Sequence, residues 1–317
     1  NLDDNLRDLH ERLRDQRYVA PPVERVWIEK AGGKKRPIGQ PCFADKIVQR
    51  AVVRLLEALF AQDFQAFSHG FRKGHSPHQA LHELREQCRT VSINWIVDAD
   101  VSGCFDNLAW SPLRAFRPQR VNEGRILCLI GQWLHAGVLE AGVLTHPDQG
   151  TPQGGVVSPM LANVFLPQVL DEWFVKDVQP RMQGRCFLTR FADDVIIGCV
   201  LATDARRVME GLPKRFARFR LTINPEKTAL MAFKRPPSRG ESAGGTGTFD
   251  FLGFTHYWGK TRQGYGVIKR KTVGKRVRRF MKAVWTWCRD NRHEPLHEQH
   301  RTLGAKLRGY SQYYGIR

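Results

Sequence analysis

Two acidic pairs could carry chemistry in this chain: Asp98 and Asp100 in Val97-Asp98-Ala99-Asp100-Val101, of which only one need be a ligand, and Asp193 and Asp194 in Phe191-Ala192-Asp193-Asp194. The first two close an apolar run from Ile93 to Val101 that reads as a strand, where alternate residues share a face. The second two sit between β-branched and aromatic runs, Phe187 to Phe191 and Val195 to Val200, which read as paired buried strands. Adjacent carboxylates repel each other, and the cost is sustained where cations or donors neutralise them; Mg²⁺ prefers such hard oxygen ligands. Phosphoryl transfer by two metals needs carboxylates from separate strands, holding cations about 3.5–4 Å apart. Asp100 and Asp193 supply that pair. An Asp-Asp pair alone also punctuates turns, so the second acidic strand decides the reading.

The elements that must position these groups are legible around them. Gly150-Thr151-Pro152-Gln153-Gly154-Gly155-Val156-Val157-Ser158-Pro159 is a loop whose glycines allow close backbone approach and whose Gln153 both donates and accepts hydrogen bonds. It runs into an apolar helix, with Ser158 as N-cap and Pro159 at the first helical position. Pro167 falls inside that helix and should kink or end it. Asn1 to Arg17 reads as a charged helix, Pro77 to Cys88 as another. Asp45 to Phe60 reads as a helix with Ile47, Val48, Ala51, Val52, Leu55, Leu56, Leu59 and Phe60 on its apolar face. A stretch rich in Pro, Ser and Gly, Arg235 to Gly247, is a loop.

In order along the chain, these motifs resemble those of reverse transcriptases, specifically the group II intron-encoded lineage. The resemblance begins at Arg36-Pro37-Ile38-Gly39-Gln40-Pro41 and Asp45-Lys46-Ile47-Val48-Gln49-Arg50-Ala51, and continues through Ser68-His69-Gly70-Phe71-Arg72 and the Asp100 strand. It then takes in Thr151-Pro152-Gln153-Gly154, Phe191-Ala192-Asp193-Asp194 and Leu221-Thr222-Ile223-Asn224-Pro225-Glu226-Lys227-Thr228. Its last parts are Phe249-Asp250-Phe251-Leu252-Gly253-Phe254 and Leu307-Arg308-Gly309-Tyr310-Ser311-Gln312-Tyr313-Tyr314-Gly315, so nearly the whole chain is covered. Phe191 stands where tyrosine is commoner in the lineage.

The resemblance implies roles residue by residue. Asp100 and Asp193 would bind two catalytic Mg²⁺ ions, or Mn²⁺, with Asp194 as neighbouring carboxylate and the Val101 carbonyl near the second metal; Asp98 receives no role. Phe105 would be the steric gate against a 2′-hydroxyl, although core packing also suits it. Arg36 and Lys30, on a fingers hairpin from Val23 to Ile38 turning at Gly32-Gly33, would hold the incoming triphosphate. Gln153 and Gly154 would meet the nucleotide or template base, and Lys227 would protonate departing pyrophosphate. Phe251, Leu252 and Gly253 would form the primer grip.

Charge agrees with a nucleic-acid partner. The 317 residues carry a net charge of +19, and a polyanion is the natural counterpart. From Gly259 to Arg317 there are 16 Lys or Arg against 3 Asp or Glu. Lys269, Arg270, Lys271, Lys275, Arg276, Arg278 and Arg279 precede Phe280, Met281, Val284, Trp285 and Cys288, spaced as one face of an amphipathic helix. This reads as a basic thumb that tracks the sugar-phosphate backbone, with Trp285 and Trp287 as core anchors. Seven cysteines without paired ligand spacing argue against a zinc site or disulfide framework and for a reducing, cytoplasmic compartment. No apolar run is long enough to span a membrane.

The expected architecture is α+β, a right-hand polymerase with an antiparallel palm sheet and a helical thumb. Fingers would cover 1–95 and return over 112–150, the palm 96–111 and 151–258, and the thumb or maturase-like region 259–317. The expected activity is RNA-directed DNA polymerisation: dNTPs added to a DNA or RNA primer on an RNA template, together with binding of a structured intron RNA to aid splicing or retrohoming. Alternatives are a group II-like enzyme adopted by bacterial defence, an RNA-directed RNA polymerase, and a non-catalytic RNA-binding splicing cofactor; three retained, mutually repelling carboxylates speak against the last. The lineage implies extra sequence before Asn1, so the chain reads as a fragment or core.

Overall fold

A computed structural model of the chain describes residues 1–29, 35–103, 123–146, 150, 154–236 and 247–316. Helix α1 (Leu2–Arg14) leads to the hairpin β1 (Val23–Glu29) and β2 (Lys35–Gln40), followed by α2 (Phe43–Phe60) and α3 (Pro77–Val91). The Ser76 hydroxyl caps α3, accepting from the Gln79 amide at 3.2 Å, and Pro77 takes the first turn. Then come β3 (Trp95–Ser102), α4 (Gly124–His135), β4 (Val138–Glu140), β5 (Val143–Thr145) and α5 (Ser158–Leu166). Two π-helical turns, Pro167–Asp171 and Phe174–Val178, follow α5. Regular α-helix thus gives way to π-helical turns at Pro167, whose missing N–H removes one helical hydrogen bond. The chain continues through β6 (Cys186–Phe191), β7 (Asp194–Cys199), α6 (Ala202–Ala217), β8 (Thr222–Ile223), β9 (Ala229–Ala232), β10 (Phe249–Phe251), β11 (Phe254–Lys260) and β12 (Gly266–Thr272). It closes with α7 (Gly274–Asp290) and α8 (Leu296–Tyr314).

The described residues form three sheets. The palm sheet runs β6-β7-β3-β8, with β9 also on β3, and every pair is antiparallel. The fingers sheet runs β2-β1-β4-β5, and the third is β10-β11-β12. The architecture is the expected α+β right-hand fold.

Period two fixes what each palm strand presents to either side. Val97, Ala99, Val101, Val195, Ile197 and Cys199 enter a core shared with α2, α4, α5 and α6. Ile96, Phe187 and Ile196 enter a second core against α3 and the β10-β11-β12 sheet. Asp98 and Asp100 therefore belong to the Ile96 face of a sheet covered on both sides.

Three sequence expectations change. Ser158 is the first helical residue rather than the N-cap, and Val157 precedes it, its amide donating to Gln49 Oε1 at 3.1 Å. The buried face of α2 is Asp45, Val48, Gln49, Val52, Val53, Leu56 and Phe60, while Leu55 and Leu59 are exposed. Two buried polar side chains rotate that face away from the one the apolar pattern marks. In the C-terminal part, Lys269, Arg270 and Lys271 lie on β12, and helix begins at Gly274. Helix α7 buries no residue fully; Phe280 stacks on Tyr310 of α8 at 4.0 Å, whereas Trp285 is 62% exposed and is not a core anchor. No described helix is long and apolar enough to cross a membrane.

Asp45 is the polar centre of the fingers. Its carboxylate accepts from the Tyr18 hydroxyl, from Trp133 Nε1 at 2.7 Å and from Gln49 Nε2 at 2.8 Å. Gln49 in turn holds the Val157 amide, so one buried carboxylate links the segment after α1, helices α2 and α4, and the loop entering α5. Asp45→Ala orphans these donors, and urea unfolding is expected to show a loss of about 2–4 kcal/mol; an unchanged midpoint and slope would remove this role.

Candidate active site

Strands β3 and β7 pair so that Asp100 lies opposite Asp194, which puts both carboxylates on one sheet face. Asp193 sits one residue earlier, in the two-residue turn from β6. The peptide after β8 completes the group. The Asn224 amide donates to the Asp100 carbonyl at 2.9 Å, the Asp100 amide to Thr228 Oγ1 at 3.2 Å, and the Asn224 side chain accepts from the Glu226 amide at 3.1 Å. This turn delivers Lys227, whose ammonium pairs with Asp100 Oδ2.

Electrostatics mark the cluster as short of positive charge. Burial, then Asp193 and Asp100, push Asp194 up to about 6, with Lys227 and Arg276 opposing. Burial also raises Asp193, Asp100 adds to the rise, and Arg36 and Lys227 oppose it. Asp98 is pushed up to about 7 by burial, then by Asp194, Asp100 and Asp250. Lys227 is held above its usual value by its hydrogen bond to Asp100. Among the described residues no three His, Cys, Asp or Glu side chains already converge as metal ligands. Yet hard carboxylate oxygens that raise one another's pKa are a donor set that suits Mg²⁺, because a cation relieves the repulsion.

The turn carrying Asp193 is clamped from behind. Ala192 adopts φ of +56°, a strained region for a side chain with a Cβ. Arg190, two residues earlier, donates from its Nη1 to the Ala192 carbonyl at 3.0 Å and makes a bidentate pair with Asp171, at 2.8 and 2.6 Å, both side chains 0% exposed. Asp171 ends the π turn that Pro167 begins. On the other side, a Cβ on Gly70 would fall 2.1 Å from the Ala192 nitrogen, so only glycine lets that backbone reach the turn. The approach is fixed by the Arg190 amide donating to the Phe67 carbonyl, the His69 amide to the Arg190 carbonyl (both 2.9 Å), and Asn163 Nδ2 to the Gly70 carbonyl at 2.8 Å.

The remaining sequence candidates are spread around this centre. Arg36 lies on β2, its charge acting on Asp193. Gly154 packs against that strand: at φ +111°, a Cβ there would meet Ile38 Cγ2 at 2.6 Å and the Gly39 carbonyl at 2.7 Å. Phe251 and Phe254 flank a turn of Leu252 and Gly253, at φ +49° and +82°. The carbonyls of that turn accept from the Tyr313 hydroxyl at 2.8 Å and the Val273 amide at 3.0 Å. Arg276, Arg278, Arg279 and Lys275 lie in the first turns of α7, and Val101 is buried beside Asp100. Lys30, Phe105 and Gln153 lie outside the described residues.

Sequence reading missed Arg190, Asp171 and Gly70 as structural partners of the site. A usable signal existed for Arg190, since an arginine inside a buried strand requires a buried anion.

The geometry is that of a polymerase palm, and the comparisons agree. Residues 28–256 match the reverse transcriptase (RNA-dependent DNA polymerase) family, and the chain belongs to that family, whose members use divalent metal ions. It is 34% identical over 164 residues to the protein YkfC of Escherichia coli K12, covering 51% of this chain and 43% of that protein. It is 36% identical over 165 residues to the group II intron-encoded protein LtrA of Lactococcus lactis subsp. cremoris, covering 52% of this chain and 27% of that protein. The second of these relatives is a group II intron-encoded protein, and the chain spans less than half the length of each. A telomerase from Candida albicans, solved in complex with a TWJ fragment of telomeric RNA, has a TM-score of 0.60 over 82% of this chain and 46% of its own, at 12% identity, a likeness of fold.

Two tests follow from this geometry. Asp171→Asn leaves the Arg190 cation buried without its anion and is expected to cost about 3–5 kcal/mol in urea unfolding. The apolar double variant Arg190→Met with Asp171→Leu should recover most of that stability yet bind Mn²⁺ more weakly by electron paramagnetic resonance, because the Ala192 carbonyl loses its donor; wild-type Mn²⁺ affinity would refute the clamp. The raised carboxyls also predict a pH effect. An acid whose pKa rises on folding stabilises the native state below its ordinary value of 3.8, and that contribution disappears as pH climbs through about 6 for Asp194 and about 7 for Asp98. In EDTA, the melting temperature should fall between pH 5.5 and pH 8, and Asp98→Asn should flatten that fall; an undiminished slope would contradict it.

Proposed function

We propose that this chain is the catalytic part of an RNA-directed DNA polymerase that extends a DNA or RNA primer with dNTPs on an RNA template. The observation that carries the reading is the group of Asp100, Asp194 and Asp193, from two paired strands and one clamped turn, with the Lys227 ammonium on Asp100. Asp100, Asp193 and Asp194 would hold two Mg²⁺ ions, or Mn²⁺, with the Val101 carbonyl beside them. Bound there, the ions would stabilise charge developing on the attacking and leaving oxygens.

The protein's own groups would do the rest. The primer 3′-hydroxyl gives up its proton to solvent water as its oxygen attacks the α-phosphorus of a dNTP, the bond from that phosphorus to the bridging oxygen of the β-phosphate breaks, and pyrophosphate leaves. Lys227, kept protonated by its bond to Asp100, is the proton donor to that leaving group. Arg36 and Lys30 would bind the triphosphate from the fingers, Gln153 and Gly154 would border the nascent pair, and Phe105 would exclude a 2′-hydroxyl.

The turn of Phe251, Leu252 and Gly253 would seat the primer end. Lys269, Arg270 and Lys271 on β12, with Lys275, Arg276, Arg278 and Arg279 on α7, would follow the phosphate backbone. Cations at the start of α7 add to the positive end of its dipole, an arrangement that costs stability unless an anion answers it. The same basic surface would bind a structured intron RNA, the partner class that the lineage suggests.

The experiment is extension of a DNA primer on an RNA template with dNTPs and Mg²⁺. The wild type should extend it, and Asp193→Ala with Asp194→Ala should lose at least about a thousandfold in rate, the equivalent of several kcal/mol of charge stabilisation. If neither extends the primer while both bind RNA in a salt-sensitive manner, the polymerase reading fails and an RNA-binding cofactor replaces it.

A further inference from the structure

A second basic site lies at the far end of the palm. A cavity of about 360 Å³ is lined by Arg85 and Arg89 of α3, by Ile93 and Asn94 before β3, by Arg235, and by Trp258 with the first residues of β12. It is separated from Asp100 by six residues of β3, about 20 Å at the rise of a strand. No acidic side chain is among the described residues that line it, and Glu86 meets Arg89 outside it, at 2.7 Å.

Two further features prepare this cavity for an anion. Arg270, further along β12, is half-buried, and the positive charge of Arg85 acts against it. Arginines brought together in this way are stabilised by a shared anion, and the guanidinium fork matches phosphate oxygens. Trp258 is fixed as a wall, with its Nε1 donating to the Phe233 carbonyl at 3.0 Å and its ring on Phe233 at 5.8 Å. The volume suits one nucleotide unit and excludes a duplex.

We propose that this cavity binds the phosphate of a nucleotide unit, with Arg85, Arg89 and Arg235 on the phosphate and the Trp258 indole against the sugar or base. The phosphate is carried either by a single strand passing behind the palm or by a free nucleotide. The site is independent of the polymerase chemistry, so either reading can fail alone.

The test uses the whole chain, as wild type and as Arg85→Gln with Arg235→Gln, with an excess of unlabelled RNA–DNA hybrid occupying the catalytic cleft. Fluorescence anisotropy of a labelled twelve-nucleotide RNA reads the strand, and calorimetry with AMP and with inorganic phosphate reads the free ligand. If the source is a strand, RNA affinity falls about tenfold and the slope of log K against log salt drops by about 1.4, two phosphate contacts' worth. If it is a free nucleotide, AMP or phosphate binding disappears while RNA binding holds. Extension of the hybrid should be unchanged in both cases. Unchanged binding of every probe overturns the proposal, as does a loss no larger than that from Lys260→Gln with Arg262→Gln, which removes the same charge elsewhere. Arg235→Gln alone, at an exposed position, keeps the test valid if the double variant folds poorly.

Discussion

The buried pair of Arg190 and Asp171 is the constraint on which the active site depends. Carboxylates that repel each other tend to drift apart, and the turn carrying Asp193 is further strained at Ala192. A short turn in water would relax both. Here the guanidinium that holds the Ala192 carbonyl is itself fixed by two hydrogen bonds to a fully buried carboxylate. Such a pair adds little net stability compared with apolar packing. What it supplies is direction: Arg190 has one anion to meet, and once they meet, the Ala192 carbonyl has one place to be.

The same device recurs in the fingers. Asp45 gathers donors from Tyr18, Gln49 and Trp133, and Gln49 passes the restraint to the Val157 amide. The loop entering α5 is thereby tied to helix α2, and Gly154 brings it against Ile38 and Gly39 on the strand that carries Arg36. Palm and fingers are each organised around a buried carboxylate, Asp171 meeting a single arginine and Asp45 gathering donors from three side chains, with glycines where backbones must touch.

This explains what was legible in the sequence. Alternation along Ile93 to Val101 and the twin strands around Asp193 gave the palm hairpin, because both depend on local periodicity. The helix of Asp45 to Phe60 was also visible, but its buried face was misassigned: Asp45 and Gln49 count as polar in any pattern, and their partners lie up to 108 residues away. Nothing in the Ser68-His69-Gly70-Phe71-Arg72 motif shows why Gly70 is glycine, since the reason is the Ala192 backbone on another element. Ser-Pro is a common helix start and marks Ser158 as an N-cap, whereas Val157 holds that position without a side-chain cap, its own amide donating to Gln49 of α2. Spacing in α7 marks Trp285 as core, and spacing alone does not say whether a face has a partner.

Thumb and palm meet at the turn of Leu252 and Gly253, and the geometry there couples them. Both residues have positive φ, so their carbonyls point away from the sheet ladder and need outside donors. Those donors are the Tyr313 hydroxyl from α8 and the Val273 amide at the entry to α7. His78 of α3 lies 2.9 Å from the Tyr313 carbonyl and anchors the same tyrosine from the palm side. The turn is thus held by the two ends of the helical pair, and Arg276, three residues beyond Val273, acts on Asp194. A rotation of α7 and α8 would move the turn and the charge beside Asp194 together.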